Sequence, residues 1–409
     1  MINMSINENN AYEITKRLAF PRLIGSEGEK KAIEVVVDEF KKAGYDDIQR
    51  EEFKTSFLNW IFARYVFIPL AGFLIIFGLL PFISNWINSA LNTDFKTYSV
   101  LTWITLVGFF IAGYKTLGMV NSTTIGLMKD ESKNFTTENI FVNLKSKNSK
   151  AKIIYMAHWD SKSQTFPSIV RIIIIMIAAF GDLAMLFLYF ILSIIEFFIP
   201  IDILILDYIL LTVCIILAVT GLLNFFNKTA NKSPGAIDNA ASVGTVIELA
   251  RYFKNNPLDN IDFIFLSTSS EELNLGGAKV FISKYKQDFD PKSSYFINFD
   301  GIGGNGLIRL ITAYGIPRKS SSDKLNELLL KSSEELDIEA KTIYLPTGAW
   351  SDFMPIIQKG FDACWLASMG STKYVHTKKD TMDLVSKEGL KNGLLLSVEV
   401  AKKLNDEFA

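Results

Sequence analysis

The sequence predicts a mixed-sheet α/β/α sandwich interrupted by two transmembrane helical hairpins, four spans in all, and three observations carry that prediction. Beyond Lys232, short apolar runs of strand character alternate with helical segments, the order that builds helices around a largely parallel or mixed sheet. Upstream, four long runs are almost free of charge. The chain has only two histidines, His158 and His376, and both stand in short polar clusters, the first where an apolar run ends.

Composition narrows the function classes. A hydrophobic content of 49% and a mean hydropathy of +0.24 are high for a water-soluble chain of 409 residues, yet 21% of the residues are charged. Two kinds of segment are being averaged. With 42 basic and 43 acidic residues the net charge is −1, so there is no basic footprint for nucleic acid. Cys214 and Cys364 are far apart in dissimilar surroundings, which indicates neither a disulfide framework nor a cysteine zinc site. Met1 to Tyr12 is polar and lacks the apolar core and cleavage site of a secretory signal.

In chain order, residues Ala11 to Gly44 read as helical, with Ile33, Val36, Val37 and Phe40 at helix spacing and Gly44 placed to stop the turn. A charged strand, Ile48 to Phe53, follows. Tyr65 to Thr93 then has no charged residue, and Tyr98 to Val120 only Lys115. A spanning helix needs about 20 apolar residues, so these two runs form a first hairpin that Pro69 and Pro81 kink without forbidding. Soluble character returns near Thr123, with strands at Asn139 to Leu144 and at Ile153 to Met156. A second hairpin comes next: Ile172 to Phe198 is apolar except for Asp182 and Glu196, and Tyr208 to Asn227 is uncharged. Asp182 near mid-span either lines a polar path or is satisfied by a neighbouring helix. The rest alternates, with strands at 261–266, 295–299, 307–311 and 363–366 and helices at 240–253, 277–285, 323–336 and 387–404. The expected division is a discontinuous soluble domain (1–56, 121–167 and 229–409) and hairpins at 57–120 and 168–228.

An even number of spans returns every soluble segment to one side of a bilayer. The short connections inside the hairpins hold Lys96 against Asp94, Asp202 and Asp207. Arg64, Lys115, Lys129, Arg171, Lys228 and Lys232 flank the other ends. Basic flanks stay inside, so the expectation is an integral protein of the cell membrane with its soluble domain in the cytoplasm.

Chemistry-bearing residues follow strands or open helices. They are His158 with Asp160, Asp238 in Gly235-Ala-Ile-Asp-Asn239, the pair Glu271 and Glu272, Asp300 before Gly301, and His376. Two imidazoles with several carboxylates at the strand ends of one sheet suit a divalent ion, zinc foremost. Each carboxylate alone also has a structural role available, as a helix cap or turn former. The adjacent glutamates are harder to place that way, because like charges at the exit of a buried strand repel unless a cation or proton relieves them.

Ala157-His-Trp-Asp-Ser161, Pro234-Gly-Ala-Ile-Asp-Asn239, Ser270-Glu-Glu-Leu273, Phe299-Asp-Gly-Ile302 and His376-Thr-x-x-Asp380 resemble, in order, the signature segments of the di-zinc exopeptidases of peptidase family M28. Arg22-Leu-Ile-Gly-Ser26 and Ser351-Asp352 extend the resemblance over nearly all the soluble sequence. It implies two zinc ions per chain, one held by His158 and Asp300, the other by Glu272 and His376, with Asp238 bridging. It further implies that Asp160 orients His158 and that Glu271 is the general base toward water attacking a peptide substrate. Aspartate at position 300, where carboxypeptidase-like members tend to have glutamate, favours an aminopeptidase.

The chain departs from the family pattern at Asn239, where members often carry a second aspartate, and at Val375, which separates Tyr374 from His376. The largest departure is length: about 80 residues separate His158 from Asp238 because the second hairpin lies between them. If both reach one metal site, the hairpin roots lie near it and the site lies close to the bilayer surface. Three other readings stay open, namely a glutaminyl-cyclase-like aminoacyl transferase with one metal, a non-catalytic receptor or scaffold, and a transporter with a regulatory domain. Trp350 and Phe353 are candidates for a specificity pocket, against ordinary packing.

Overall fold

In the computed structural model of the chain, residues 6–93, 96–120, 125–199, 204–305, 307–346, 349–368 and 372–409 are described. Asp94, Thr123 and Asp202 lie outside the described residues. Helices α1 (Glu8–Leu18) and α2 (Glu27–Lys42) lead to β1 (Gln49–Ser56), followed by α3 (Leu58–Tyr65), α4 (Phe67–Leu91) and α5 (Thr97–Val120). Strands β2 (Asn134–Leu144), β3 (Ala151–His158) and β4 (Ser163–Gln164) precede α6 (Ser168–Phe198), α7 (Leu204–Leu223) and β5 (Thr229–Ala230). Then come α8 (Ala241–Asn255), β6 (Ile261–Thr268), α9 (Gly276–Tyr285), β7 (Ser294–Phe299), β8 (Ile308–Tyr314) and β9 (Lys319–Ser320). The chain closes with α10 (Asp323–Glu335), β10 (Ala340–Leu345), α11 (Phe353–Gln358), β11 (Asp362–Ser368) and α12 (Lys387–Glu407). It forms two compact units, one of Met1–Leu58, Thr123–Ile169 and Thr229–Ala409, the other of Asn59–Ser122 and Val170–Lys228.

The first unit is built on a mixed sheet of order β1-β2-β6-β3-β7-β11-β8-β10, with β9 paired to β8. Strands β6, β3, β7 and β11 run parallel, so their C-terminal ends share one edge, where His158 is in register with Thr268. Alternation along β3 divides the core. Ile153, Tyr155 and Ala157 face a large apolar cluster that includes residues of α1, α2, α8 and α12, while Ile154 and Met156 face a smaller one under α9 and α11. That is the predicted α/β sandwich. At its centre the Tyr155 ring stacks on Phe253, Phe263, Phe265 and Phe299, and its hydroxyl donates to the Ser397 carbonyl at 2.7 Å.

Three differences from the sequence reading have local causes. The single helical stretch from Ala11 is two helices, because Pro21 cannot continue the first and Ser26 caps the second by accepting from the Glu29 N–H. Strand β10 is half exposed with Lys341 among its residues, so it has no apolar run to betray it. Strand β2 begins at Asn134 because its polar first half pairs with β1 along the edge of the sheet.

The second unit contains helices long and apolar enough to cross a membrane, over Leu58–Leu91, Thr97–Lys115, Ser168–Phe198 and Leu204–Phe226. Their hydropathies run from 1.4 to 2.6, and no more than about a third of each is buried. Apolar side chains such as Trp86, Phe110 and Ile205 face outward, 65–72% exposed. Inside, Phe77 stacks on Tyr189 at 5.3 Å. Gly78 lets α4 approach α7 closely, since a Cβ there would come within 2.9 Å of Leu211. Asp182 Oδ1 is buried without a hydrogen bond.

The aromatic stack of the first unit gives a stability test. Phe253 is fully buried and stacks on Phe263 at 4.2 Å. Phe253→Ala is expected to destabilise that unit by about 3–5 kcal/mol, read as a lowered melting temperature of the detergent-solubilised protein; an unchanged melt contradicts the packing described.

Candidate metal centre

The predicted site residues converge at the shared strand edge. His158 is the last residue of β3, Glu271 and Glu272 lie in the turn after β6, and Asp300 directly follows β7. Asp238 sits in the turn entering α8, beyond Gly235, whose φ of +58° and crowded flank exclude a side chain: a Cβ there would lie 2.4 Å from the Asp238 carbonyl oxygen. His376 comes from the loop between β11 and α12.

These residues form two groups. His158, Glu271 and Asp300 bring ligand atoms within 4.8 Å of one another, as do Asp238, Glu272 and His376. Asp238 links the groups, with Oδ1 3.2 Å from His158 Nε2 and Oδ2 3.0 Å from His376 Nε2. Glu272 Oε2 lies 3.1 Å from His376 Nε2, while Glu271 Oε2 and Asp300 Oδ1 each lie 3.8 Å from His158 Nε2.

The surroundings prepare both imidazoles as ligands. His158 Nδ1 faces the Asp160 carbonyl oxygen at 3.1 Å, which keeps a proton on Nδ1 and turns Nε2 inward. That Nε2 is buried and makes no well-directed hydrogen bond. His376 Nδ1 meets Ser168 Oγ at 2.8 Å, and Ser168 donates onward to the Val375 carbonyl, so the ring is held with Nε2 pointing inward. The amide of Gln164 reaches the same Nδ1 at 2.9 Å. Inward-facing nitrogen and carboxylate donors fit divalent metal ions, and the two clusters match the expectation of two zinc sites.

Charge is strongly polarised here. Burial opposes ionisation of His158, yet Glu271, Asp160, Asp238 and Asp300 hold its proton affinity well above the ordinary histidine value. Burial likewise opposes the Asp238 charge, but His158 and His376 keep that carboxyl well below the usual range. The adjacent glutamates separate. Burial raises Glu271 well above the carboxylate range, with Glu272 and Asp300 adding to it against the pull of His158. For Glu272 burial is outweighed by His376 and Lys162, and its pKa falls to about 2.

Further residues hold the frame. Asp160 acts mainly on the glutamates: Oδ1 accepts from the Glu271 N–H and Oδ2 from the Glu272 N–H, each at 3.2 Å, with His158 Nδ1 3.4 Å from Oδ1. Asp380 accepts from the N–H groups of Ile237 and Asp238 at 2.8 and 3.1 Å. Ser351 donates to Asp300 Oδ2 at 2.5 Å, and Asn239 spans from the Phe299 carbonyl to the Gly301 N–H. Arg22, fully buried, donates to the carbonyls of Leu18, Phe20, Trp159, Pro234 and Gly235, tying the loop after β3 to the Asp238 turn.

Lys162, Gln164 and Ser168 went unnoticed in the sequence, where they read as ordinary polar residues between a strand and a hydrophobic run. Their nearness to His158 in the chain was the one available signal. Phe353 is fully buried against Tyr314 and Trp365 and is a packing residue, whereas Trp350 is half exposed.

The sequence profile of peptidase family M28 matches residues 223–400, which contain Asp238, Glu271, Glu272, Asp300 and His376. His158 falls before that match, on the far side of the second hydrophobic hairpin. Aminopeptidase YwaD of Bacillus subtilis (strain 168) is 25% identical over 181 residues, 43% of this chain and 39% of YwaD. Among solved structures, an Acidobacteriales bacterium glutaminyl cyclase has a TM-score of 0.55 at 16% identity, covering 100% of this chain and 97% of that one. The aminopeptidase from Aneurinibacillus sp. strain AM-1 has a TM-score of 0.56 at 14% identity, covering 98% and 94%. BSAP, a zinc aminopeptidase from Bacillus subtilis, has a TM-score of 0.52 at 14% identity, covering 98% and 95%.

The fold is that of the M28 metallopeptidases. With the two clusters, the family match supports assignment of the chain as a metallopeptidase, and hence a hydrolase. Within the M28 fold, Asp380 fixes the Asp238 turn by two accepted hydrogen bonds. An amide offers one oxygen where the carboxylate offers two. Asp380→Asn is therefore expected to weaken metal retention by about 10- to 100-fold in chelator competition. Unchanged retention removes that positioning role.

Proposed function

We propose that this chain is a membrane-integral, zinc-dependent exopeptidase, an aminopeptidase, acting on peptides presented at or near a membrane. Asp238 carries the reading: one buried carboxylate turns its two oxygens toward two imidazoles whose Nε2 atoms both face inward. In this assignment His158 and Asp300 hold one ion, Glu272 and His376 the other, and Asp238 is shared between them. Bound divalent ions supply polarisation of the scissile carbonyl and a lowered pKa of water.

Glu271 is assigned as general base. It takes a proton from the attacking water as oxygen adds to the peptide carbonyl carbon, then passes that proton to the leaving amine as the C–N bond breaks. Glu272 cannot share the task, because Lys162 and His376 hold it ionised and engaged. Asp160, through the two N–H groups it accepts, sets where both glutamates point.

The four hydrophobic helices support membrane insertion, and the basic residues flanking the hairpins support a cytoplasmic soluble domain. Resistance to carbonate extraction, with cysteine labels on the soluble domain reacting only after the membrane is permeabilised, is the expected pattern. Labelling in intact cells contradicts the orientation.

Aminoacyl cyclisation is the second reading, kept because a glutaminyl cyclase is among the similar folds. Peptides with free N-termini, N-blocked peptides and peptides beginning with glutamine separate the two. Release of free N-terminal amino acids supports the aminopeptidase, and ring closure without hydrolysis supports the cyclase. Glu271→Gln is expected to keep fold and bound zinc while losing at least about 10²–10⁴-fold in turnover; full activity removes the base assignment. His376→Ala is expected to lower zinc content, and an unchanged content contradicts its ligand role.

A further inference from the structure

Lys162 lies four residues after His158 and is buried, with 7% of its surface exposed. Its ammonium nitrogen is 2.7 Å from Glu272 Oε2, the same oxygen that faces His376 Nε2 at 3.1 Å. The ammonium also donates to the Glu272 carbonyl at 3.2 Å, and the Lys162 main-chain N–H donates to Glu272 Oε1 at 3.2 Å. One residue thus engages every oxygen of Glu272.

The two clusters consequently differ in charge. Around His158 stand Asp238, Glu271 and Asp300, and among the described residues no lysine or arginine is ion-paired to any of these three. Around His376 stand Asp238 and Glu272, and Glu272 is already paired with an ammonium group.

We infer that Lys162 makes the two metal positions unequal: the His158 cluster takes its divalent ion tightly, and the His376 cluster takes its ion weakly and exchangeably. The inference rests on the two-metal reading proposed above. A positive side chain within a few ångströms of a second cation repels it, and burial leaves little water to screen the repulsion. Glu272 Oε2 must also divide its lone pairs between an ammonium and an incoming ion. Lys162 is in this sense a positioning residue, acting on the metal through Glu272.

The test titrates zinc into the full-length, metal-stripped protein in detergent, with chelator competition and elemental analysis as readouts. Wild type is expected to bind in two steps, the weaker of which disappears in His376→Ala. In Lys162→Met the weaker step tightens by about tenfold or more while the tight step stays where it was, which also reports that the fold is intact. Lys162→Arg, which keeps the charge, retains the weak step. A Lys162→Met isotherm that superimposes on wild type, or one that loses the tight step, overturns the inference and leaves two-metal binding standing. Fewer than two ions in wild type at saturating zinc overturns the two-metal reading itself.

Discussion

One carboxylate placed between two imidazoles is the constraint that the rest of the first unit serves. Asp238 belongs to the turn entering α8, whereas His158 ends β3 and His376 lies close to α12, so three separate parts of the chain meet at its oxygens. Holding a buried anion there requires that its backbone be fixed before its side chain is paired. Asp380 does so from one side, Asn239 from another, and Arg22 ties the preceding glycine to the loop after β3. Several carboxylates this close and this buried are costly in the absence of cations. The imidazoles offset part of that cost, and divalent ions would offset more.

The second hydrophobic hairpin separates residues that must meet, and the fold resolves this at its roots. Strand β4, before the hairpin, pairs antiparallel with β5 after it, Ser163 opposite Ala230 and Gln164 opposite Thr229. The insertion therefore leaves and rejoins the soluble unit at nearly one place, as an excursion must if it is not to pull β3 away from the Asp238 turn. The outgoing root is also part of the site. Gln164 and Ser168 both reach His376 Nδ1, so the residues that launch the hairpin help set the orientation of a proposed metal ligand. The family profile matches residues 223–400, beyond this insertion, although His158 stands in register with the end of β6.

Much of this was legible in the sequence because the signals are periodic or local. Strands β3, β6, β7 and β11 are largely buried apolar runs, and helices α2, α10 and α12 open on serine caps, so their order is open to reading. His158, Glu271, Glu272 and Asp300 were visible because each follows such a run, and Asp238 because it opens a helix. What stayed hidden depends on tertiary partners. Strand β10 is half exposed and lacks a run, and β4 and β5 are two residues each, meaningful only against one another. Nothing in the local sequence singles out Lys162, and only the turn after β6 makes it a buried lysine. Asp160 was expected to orient His158. Its main-chain carbonyl makes the closer approach, and the carboxylate chiefly holds the glutamate turn.

The divergence of Glu271 and Glu272 follows from that turn. Two adjacent carboxyls with similar burial would compete for the same protons if their neighbours were alike. Asp160 accepts from both of their N–H groups, one oxygen to each, which fixes the backbone while the side chains part. Glu272 is directed to Lys162 and His376 and stays ionised, whereas Glu271 is directed toward His158 with Asp300 and Asp352 nearby and, among the described residues, has no ammonium partner. Proximity to other carboxylates raises its affinity for a proton, and a dication in the same cluster would lower it again. A base that must accept a proton and then release it needs an affinity between these extremes, and in this site the turn that separates the two glutamates is what makes such tuning available to one of them alone.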